Sequence, residues 1–174
     1  MRVDAGLLAR LQRLVVVFLI LIPTTAHATD EVVQAPDYEI AQIRLTPANS
    51  STPIAFSVKL AVTPSQHAYG LMFSPPLPAK NGMLFVFGDM KPRTFWMKNT
   101  PIALDMLFFD DSGRLVSLIS NAKPNTLTLL HSRVAARYVL EIGGLEASRL
   151  NIKIGSRLHL PIEITGNEPQ LRKK

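Results

Sequence analysis

From Ile54 to Thr63 the chain alternates without a break. Ile54, Phe56, Val58, Leu60 and Val62 are large and apolar, and Ala55, Ser57, Lys59, Ala61 and Thr63 fall between them. A period of two gives an extended strand one apolar face, whereas a helix would smear the same residues around its circumference. A strand of this kind must find partners. The rest of the chain offers short runs of the same type, separated by Pro, Gly, Asn and Asp. Tyr38–Leu45 reads as an edge strand, and Gly82–Phe87 as a compact apolar run followed by a loop over Gly88–Arg93. Thr94–Asn99 and Ala103–Asp110 read as a hairpin about Asn99-Thr100-Pro101, with Arg114–Ile119 continuing the sheet after the Asp110-Asp111-Ser112-Gly113 turn. Arg137–Ile142, Arg157–Pro161 and Ile162–Thr165 complete it.

Helical signals are few. Thr63-Pro64-Ser65-Gln66 combines an N-cap, a proline at the first helical position and a glutamine placed to close a capping box, and Gly70 suits the helix end. Ser74-Pro75-Pro76-Leu77-Pro78 can only be loop. Leu145–Leu150 suggests a second short helix. The expected fold is mainly β: one compact barrel-like or sandwich-like sheet with one or two short helices.

The first 28 residues belong to a different kind of segment. Arg2, Arg10 and Arg13 precede nine unbroken apolar residues, Leu14–Ile22; Pro23 stops the run and Ala26-His27-Ala28 follows. Nine apolar residues cannot span a bilayer, which takes about 20. The order of basic, apolar and small residues is that of a cleaved signal peptide. The expected product is an exported, bacterial periplasmic protein cut near Ala28, with no stable membrane span after cleavage. Its parts are a leader (1–28), a lead-in (29–52), a β domain (53–165) and a tail (166–174). Loss of the leader's three Arg and one Asp lowers the net charge from +6 to +4, and the apolar share from 47% to about 44%, an ordinary soluble value. The remaining basic residues are scattered except for Arg172-Lys173-Lys174, so no nucleic-acid partner is expected. With no cysteine in the chain, disulfides, thiol catalysis and Cys-ligated metals are excluded.

Chemistry, if intrinsic, concentrates in 69–109. This stretch holds eight of the twelve aromatics, the single Trp and five of the six Met, a composition fit for either a core or a cavity. Three charges interrupt it or its partners: Lys98 after Phe95-Trp96-Met97, Asp105 within Leu104–Phe108, and Glu141 between Leu140 and Ile142. A carboxylate among apolar neighbours must be paired, hydrogen-bonded or protonated. In a hairpin turning about Thr100-Pro101, Trp96, Lys98 and Asp105 share one face. These groups form either a buried ionic brace or a ligand-orienting set beside an aromatic wall.

Other templates are missing. Gly-x-Ser-x-Gly, phosphate-binding glycine loops, dinucleotide fingerprints and paired-histidine metal spacing are all absent. Soft thioethers leave Cu(I) handling as one alternative, with Met72, Met83, Met90, Met97 and His67 as donors. A hydrolase using an Asp105/Glu141 carboxylate pair tuned by Lys98 is another.

Gly70-Leu71-Met72-Phe73, Gly82-Met83-Leu84-Phe85-Val86-Phe87, Phe95-Trp96-Met97-Lys98-Asn99-Thr100, Leu104-Asp105 and Val139-Leu140-Glu141 followed by Gly155 occur in that order. Together they resemble the DUF192 (UPF0127) family over about residues 53–161. The resemblance implies a compact mainly-β domain, often exported, with no established reaction, cofactor or substrate. It also implies an Arg on each side of the Gly-Leu-Met block, where this chain has Tyr69 and Ser74. The leading expectation is a binding or accessory module for a small polar ligand or an exported protein partner. Trp96, Met97, Lys98, Asn99 and Asp105 are its candidate ligand residues. Gly70, Met72, Gly82, Met83, Glu141 and Gly155 are its expected structural residues.

Overall fold

The computed structural model describes residues 34–161 and Ile164. The leader over 1–28, the expected strand at 162–165 apart from Ile164, and the tail lie outside the described residues. The elements run β1 (Glu39–Thr46), β2 (Ile54–Ala61), α1 (Pro64–Tyr69), β3 (Asn81–Phe95), β4 (Leu104–Phe109), β5 (Leu115–Ala122), β6 (Leu130–Gly143), α2 (Glu146–Arg149) and β7 (Arg157–His159). The strands form one mainly-β sheet in the order β5-β4-β6-β3-β2-β1-β7. Only β2 and β3 pair in parallel, and the crossover between them carries α1. Among the described residues no helix is long and apolar enough to cross a membrane.

The sheet curls into a half-barrel whose two edges meet at one end. Arg114 bridges Arg157, the Leu115 N–H donates to the Ser156 carbonyl at 2.8 Å, and the Leu158 N–H donates to the Gly113 carbonyl at 2.7 Å. Gly155 (φ +91°) makes the turn that delivers β7 to this junction, and its N–H donates to the Leu115 carbonyl. That backbone conformation is why a glycine belongs there.

Strand parity divides the core in two. Ile43, Phe56, Val58, Leu84, Leu107, Leu140 and Ile142 fill the concave interior. Met83, Phe85, Leu104, Met106, Phe108 and Val139 form a second cluster on the outer face, where Leu71 and Met97 descend on them from the crossover and from the loop after β3. Strands β3, β4 and β6 are therefore buried on both sides, which explains their near-continuous apolar runs. Gly82 pairs with Val58 of β2 and Ile142 of β6, and a Cβ there would collide with the Glu141 carbonyl oxygen, a fixed backbone atom. Gly82→Ala is expected to cost about 1–3 kcal/mol, read as a lower urea midpoint with unchanged slope.

Two sequence expectations are corrected. The segments 94–99 and 103–110 do not form a hairpin: β3 ends at Phe95, and β6 lies between β3 and β4, pairing with both. Residues 96–103 instead cross the sheet end as a loop, tied by the Met97 N–H to the Thr126 carbonyl (3.0 Å) and the Asn125 N–H to the Thr100 carbonyl (3.0 Å). Burial of Met97 in the outer cluster outweighs the turn signal of Asn99-Thr100-Pro101. Likewise Tyr38–Leu45 is no edge: β1 runs between β2 and β7.

Candidate functional site

Helix α1 begins as its sequence dictates. The Gln66 N–H donates to Thr63 Oγ1 at 3.2 Å, and Gln66 Oε1 accepts from the Thr63 and Val62 N–H groups at 3.0 and 2.8 Å. His67 pins the helix to the sheet, with Nε2 donating to the Ala61 carbonyl at 2.9 Å and the ring 4.5 Å from that of Phe87. Burial lowers the His67 pKa below the usual histidine value, against two backbone hydrogen bonds that favour the charged form. Gly70 (φ +52°) ends the helix and lies against Phe85, and its carbonyl accepts from the Tyr38 hydroxyl at 3.2 Å.

The stretch after α1 and the loop after β3 face each other across the outer surface of the sheet. They are latched by the Phe73 N–H donating to the Asn99 carbonyl at 2.7 Å. Between them runs a narrow cleft whose solvent-reachable space is only about 30 Å³, room for about one water-sized group. His67, Tyr69 and Met72 line one side, Phe95, Trp96 and Lys98 the other, and Phe85, Leu104 and Glu141 are also in its lining. Trp96 is 43% exposed at the rim, and Lys98 Nζ lies 5.2 Å from its ring centroid.

Glu141 is the unusual member. It stands in register between Met83 and Met106, on the outer face, and is 4% exposed. Among the described residues its carboxyl makes no hydrogen bond or ion pair. Burial pushes its pKa up to about 8. The Tyr38 hydroxyl responds to the same surroundings, raised to about 12 by burial first and then by Tyr69 and Glu141. A second, wider hollow beside Pro47, Ile54 and Leu150 has no buried charged group in its lining.

Of the candidate ligand residues, the structure brings Trp96 and Lys98 to the cleft together with Glu141. Met97 is fully buried in the outer cluster, and Asn99 (φ +54°) shapes the loop and latches it to Phe73. Asp105 is elsewhere. It pairs with Ile142, one residue out of phase with the Met106–Glu141 pair, so its side chain leaves the opposite face of the sheet from Glu141. There its oxygens accept from Ser120 Oγ (3.1 Å) and from the Asn121 (2.7 Å), Leu145 (3.0 Å) and Ala147 (2.8 Å) N–H groups. Asp105 thereby caps α2, whose own N-cap Leu145 has no side chain able to do so. The carboxylate pair considered for hydrolysis is thus split between two faces.

The thioethers also disperse. Met83 and Met97 are buried in the outer cluster, Met72 borders the cleft and Met90 is exposed on β3. Glu146 escaped the sequence reading: it is buried and Oε1 accepts from the Lys80 N–H at 2.7 Å, tying the crossover to α2. Its place in an apparently amphipathic Leu145–Leu150 turn gave no hint of this.

The profile of the DUF192 family, described as Uncharacterized ACR, matches residues 45–160. Two solved structures are similar. One, from Sinorhizobium meliloti and described only provisionally as a transcription regulator, is 36% identical with a TM-score of 0.69, covering 72% of this chain and 97% of its own. The other, a protein of unknown function from Novosphingobium aromaticivorans, is 32% identical with a TM-score of 0.66, covering 74% and 96%. No curated protein matches.

Proposed function

This chain belongs to the DUF192 family, and from that membership and the cleft we propose that it is an exported binding module for a small polar ligand. The observation that carries the reading is Glu141. A carboxyl set among apolar side chains with no protein hydrogen-bond or ionic partner, its oxygens reaching solvent only through the cleft, is costly to ionise, and such groups are found where a ligand completes them. It lies where aromatic side chains line a solvent-reaching cleft on the outer face. Trp96 and Lys98 form the entrance. Asp105 and Met97, with every polar or apolar surface already engaged, are structural. The regulator description belongs to the Sinorhizobium protein. Here the two described helices are six and four residues long, too short to serve as a recognition helix in a major groove.

The test is a ligand panel of monosaccharides, amino acids, amines and cell-wall fragments, read by Trp96 emission and by melting temperature. A saturable change in both with at least one class is expected. No response to any of them contradicts the binding reading. For export, protein recovered from the envelope fraction of an expressing bacterium is expected to begin at Thr29. An intact Met1 terminus in the cytosol would overturn that half.

A further inference from the structure

We propose that the head group this narrow cleft accepts is a cation of about the size of a water molecule, a primary ammonium on a small organic molecule whose remainder stays at the rim, seated against the Glu141 carboxylate beside aromatic side chains. This rests on the binding reading above and names its ligand class. Three ligand chemistries compete, and the lining separates them. An anion would meet the Glu141 oxygens directly, with only the exposed Lys98 ammonium to offset them. A sugar-like neutral ligand needs several free donors and acceptors. Here the Thr100 hydroxyl already donates to the Lys98 carbonyl at 3.1 Å, and His67 Nε2 is held by Ala61. What the cleft does offer is one carboxyl without a protein partner beside the aromatic rings of Tyr69, Phe85, Phe95 and Trp96; aromatic rings attract cations where their faces are reached, as Lys98 does at Trp96. The Lys98 ammonium, resting 5.2 Å from the Trp96 ring centroid, already uses part of that surface at the rim.

The titratable and charged groups around Glu141 set the pH response. Tyr38 approaches from ahead of β1, His67 and Tyr69 from α1, and Lys98 from the loop after β3, while the flanking strand partners Met83 and Met106 carry no charge. Glu141, whose pKa burial pushes up to about 8, supplies an ionisation between pH 7 and 9. A cation requires the ionised form, so its binding below that midpoint releases a proton, and affinity rises about tenfold per pH unit up to it.

Trp96 emission would be followed in the full mature chain during titration with butylammonium, 1-butanol and butyrate, at pH 6 and pH 9. An alkylammonium stays charged at both, its pKa resembling that of lysine at about 10.4. Butylammonium is expected to saturate, to bind at least tenfold tighter at pH 9 than at pH 6, and to lose at least tenfold in Glu141→Gln at pH 9. A cooperative melt of Glu141→Gln shows the variant folded, and the wild-type pH comparison stands without it. If 1-butanol or butyrate binds as tightly as butylammonium, or Glu141→Gln leaves butylammonium unchanged, the cation assignment is wrong while the cleft remains a binding site. If none of the three probes changes the emission at either pH, the cation assignment fails. The binding reading falls only if the wider panel fails as well.

Discussion

Asp105→Ala is expected to lower the stability of the folded domain by about 3–5 kcal/mol, because it removes the shared acceptor of three backbone N–H groups at once, that of Ala147 fully buried and those of Asn121 and Leu145 partly so. The Asn121, Leu145 and Ala147 amides all point at this one carboxylate, with the Ser120 hydroxyl as a fourth donor. They come from the end of β5 and the start of α2, which this one side chain ties to β4. For a domain of this size the loss corresponds to roughly 10–20 °C in melting temperature. Asp105→Asn keeps the shape but turns an amide NH₂ toward a backbone N–H, so it is expected to recover only a minor part of the loss. A melt within about 2 °C of wild type for both variants would show that the cap carries no weight.

Glu141 is expected to behave in the opposite sense. Its carboxyl has a pKa near 8 in the folded protein, against about 4.5 for an unperturbed group. Between those values the native state holds a proton that the unfolded state has released. Stability associated with Glu141 is therefore fully present below about pH 4.5 and is lost progressively as pH rises through 8. The full loss is of order 4–5 kcal/mol, an upper figure for a site that water can approach. His67, whose pKa is lowered, acts in the other direction: folding favours its neutral form, so its contribution fades as pH drops below about 6.5. Urea unfolding of wild type and Glu141→Gln from pH 5 to 9 separates the two. The variant is expected to match wild type near pH 5 and to exceed it by several kcal/mol at pH 9. Parallel curves at all pH values would mean that Glu141 is ionised in the native protein throughout. One sheet thus carries two buried carboxyls in contrary surroundings: Asp105 accepts four hydrogen bonds, whereas Glu141 stands among apolar side chains with its pKa pushed up to about 8.

Much of the fold was legible because its signals were local. The Ile54–Thr63 alternation gives β2, and Thr63, Pro64 and Gln66 form the capping box that starts α1. The motif blocks that resemble DUF192 coincide with the outer cluster and the cleft. Pairing was less legible. Asn99-Thr100-Pro101 is a sound turn signal, but a turn does not specify a hairpin when a third strand, β6, can bury both its faces between the two runs. The expected loop at Gly88–Arg93 is part of β3, where register shifts absorb Gly88, Pro92 and their neighbours.

The site was half legible for the same reason. Charges embedded in apolar runs pointed to Lys98, Asp105 and Glu141, yet the hairpin assumption set the wrong parity for Asp105 relative to Trp96. With β6 in the middle, Glu141 and not Asp105 reaches the aromatic wall. His67 and Tyr69 join the cleft only because the crossover folds back over the sheet, and no sequence period announces that.

The central claim is that Glu141 is an unpaired, buried carboxyl opening onto a ligand cleft. Its side-chain carboxyl carbon can be followed by NMR in selectively ¹³C-labelled mature protein, titrated alone and with saturating butylammonium. The account predicts a midpoint near 8 in the free protein and a clear fall when the cation is present. A midpoint near the ordinary glutamate value, unmoved by the cation, would contradict it.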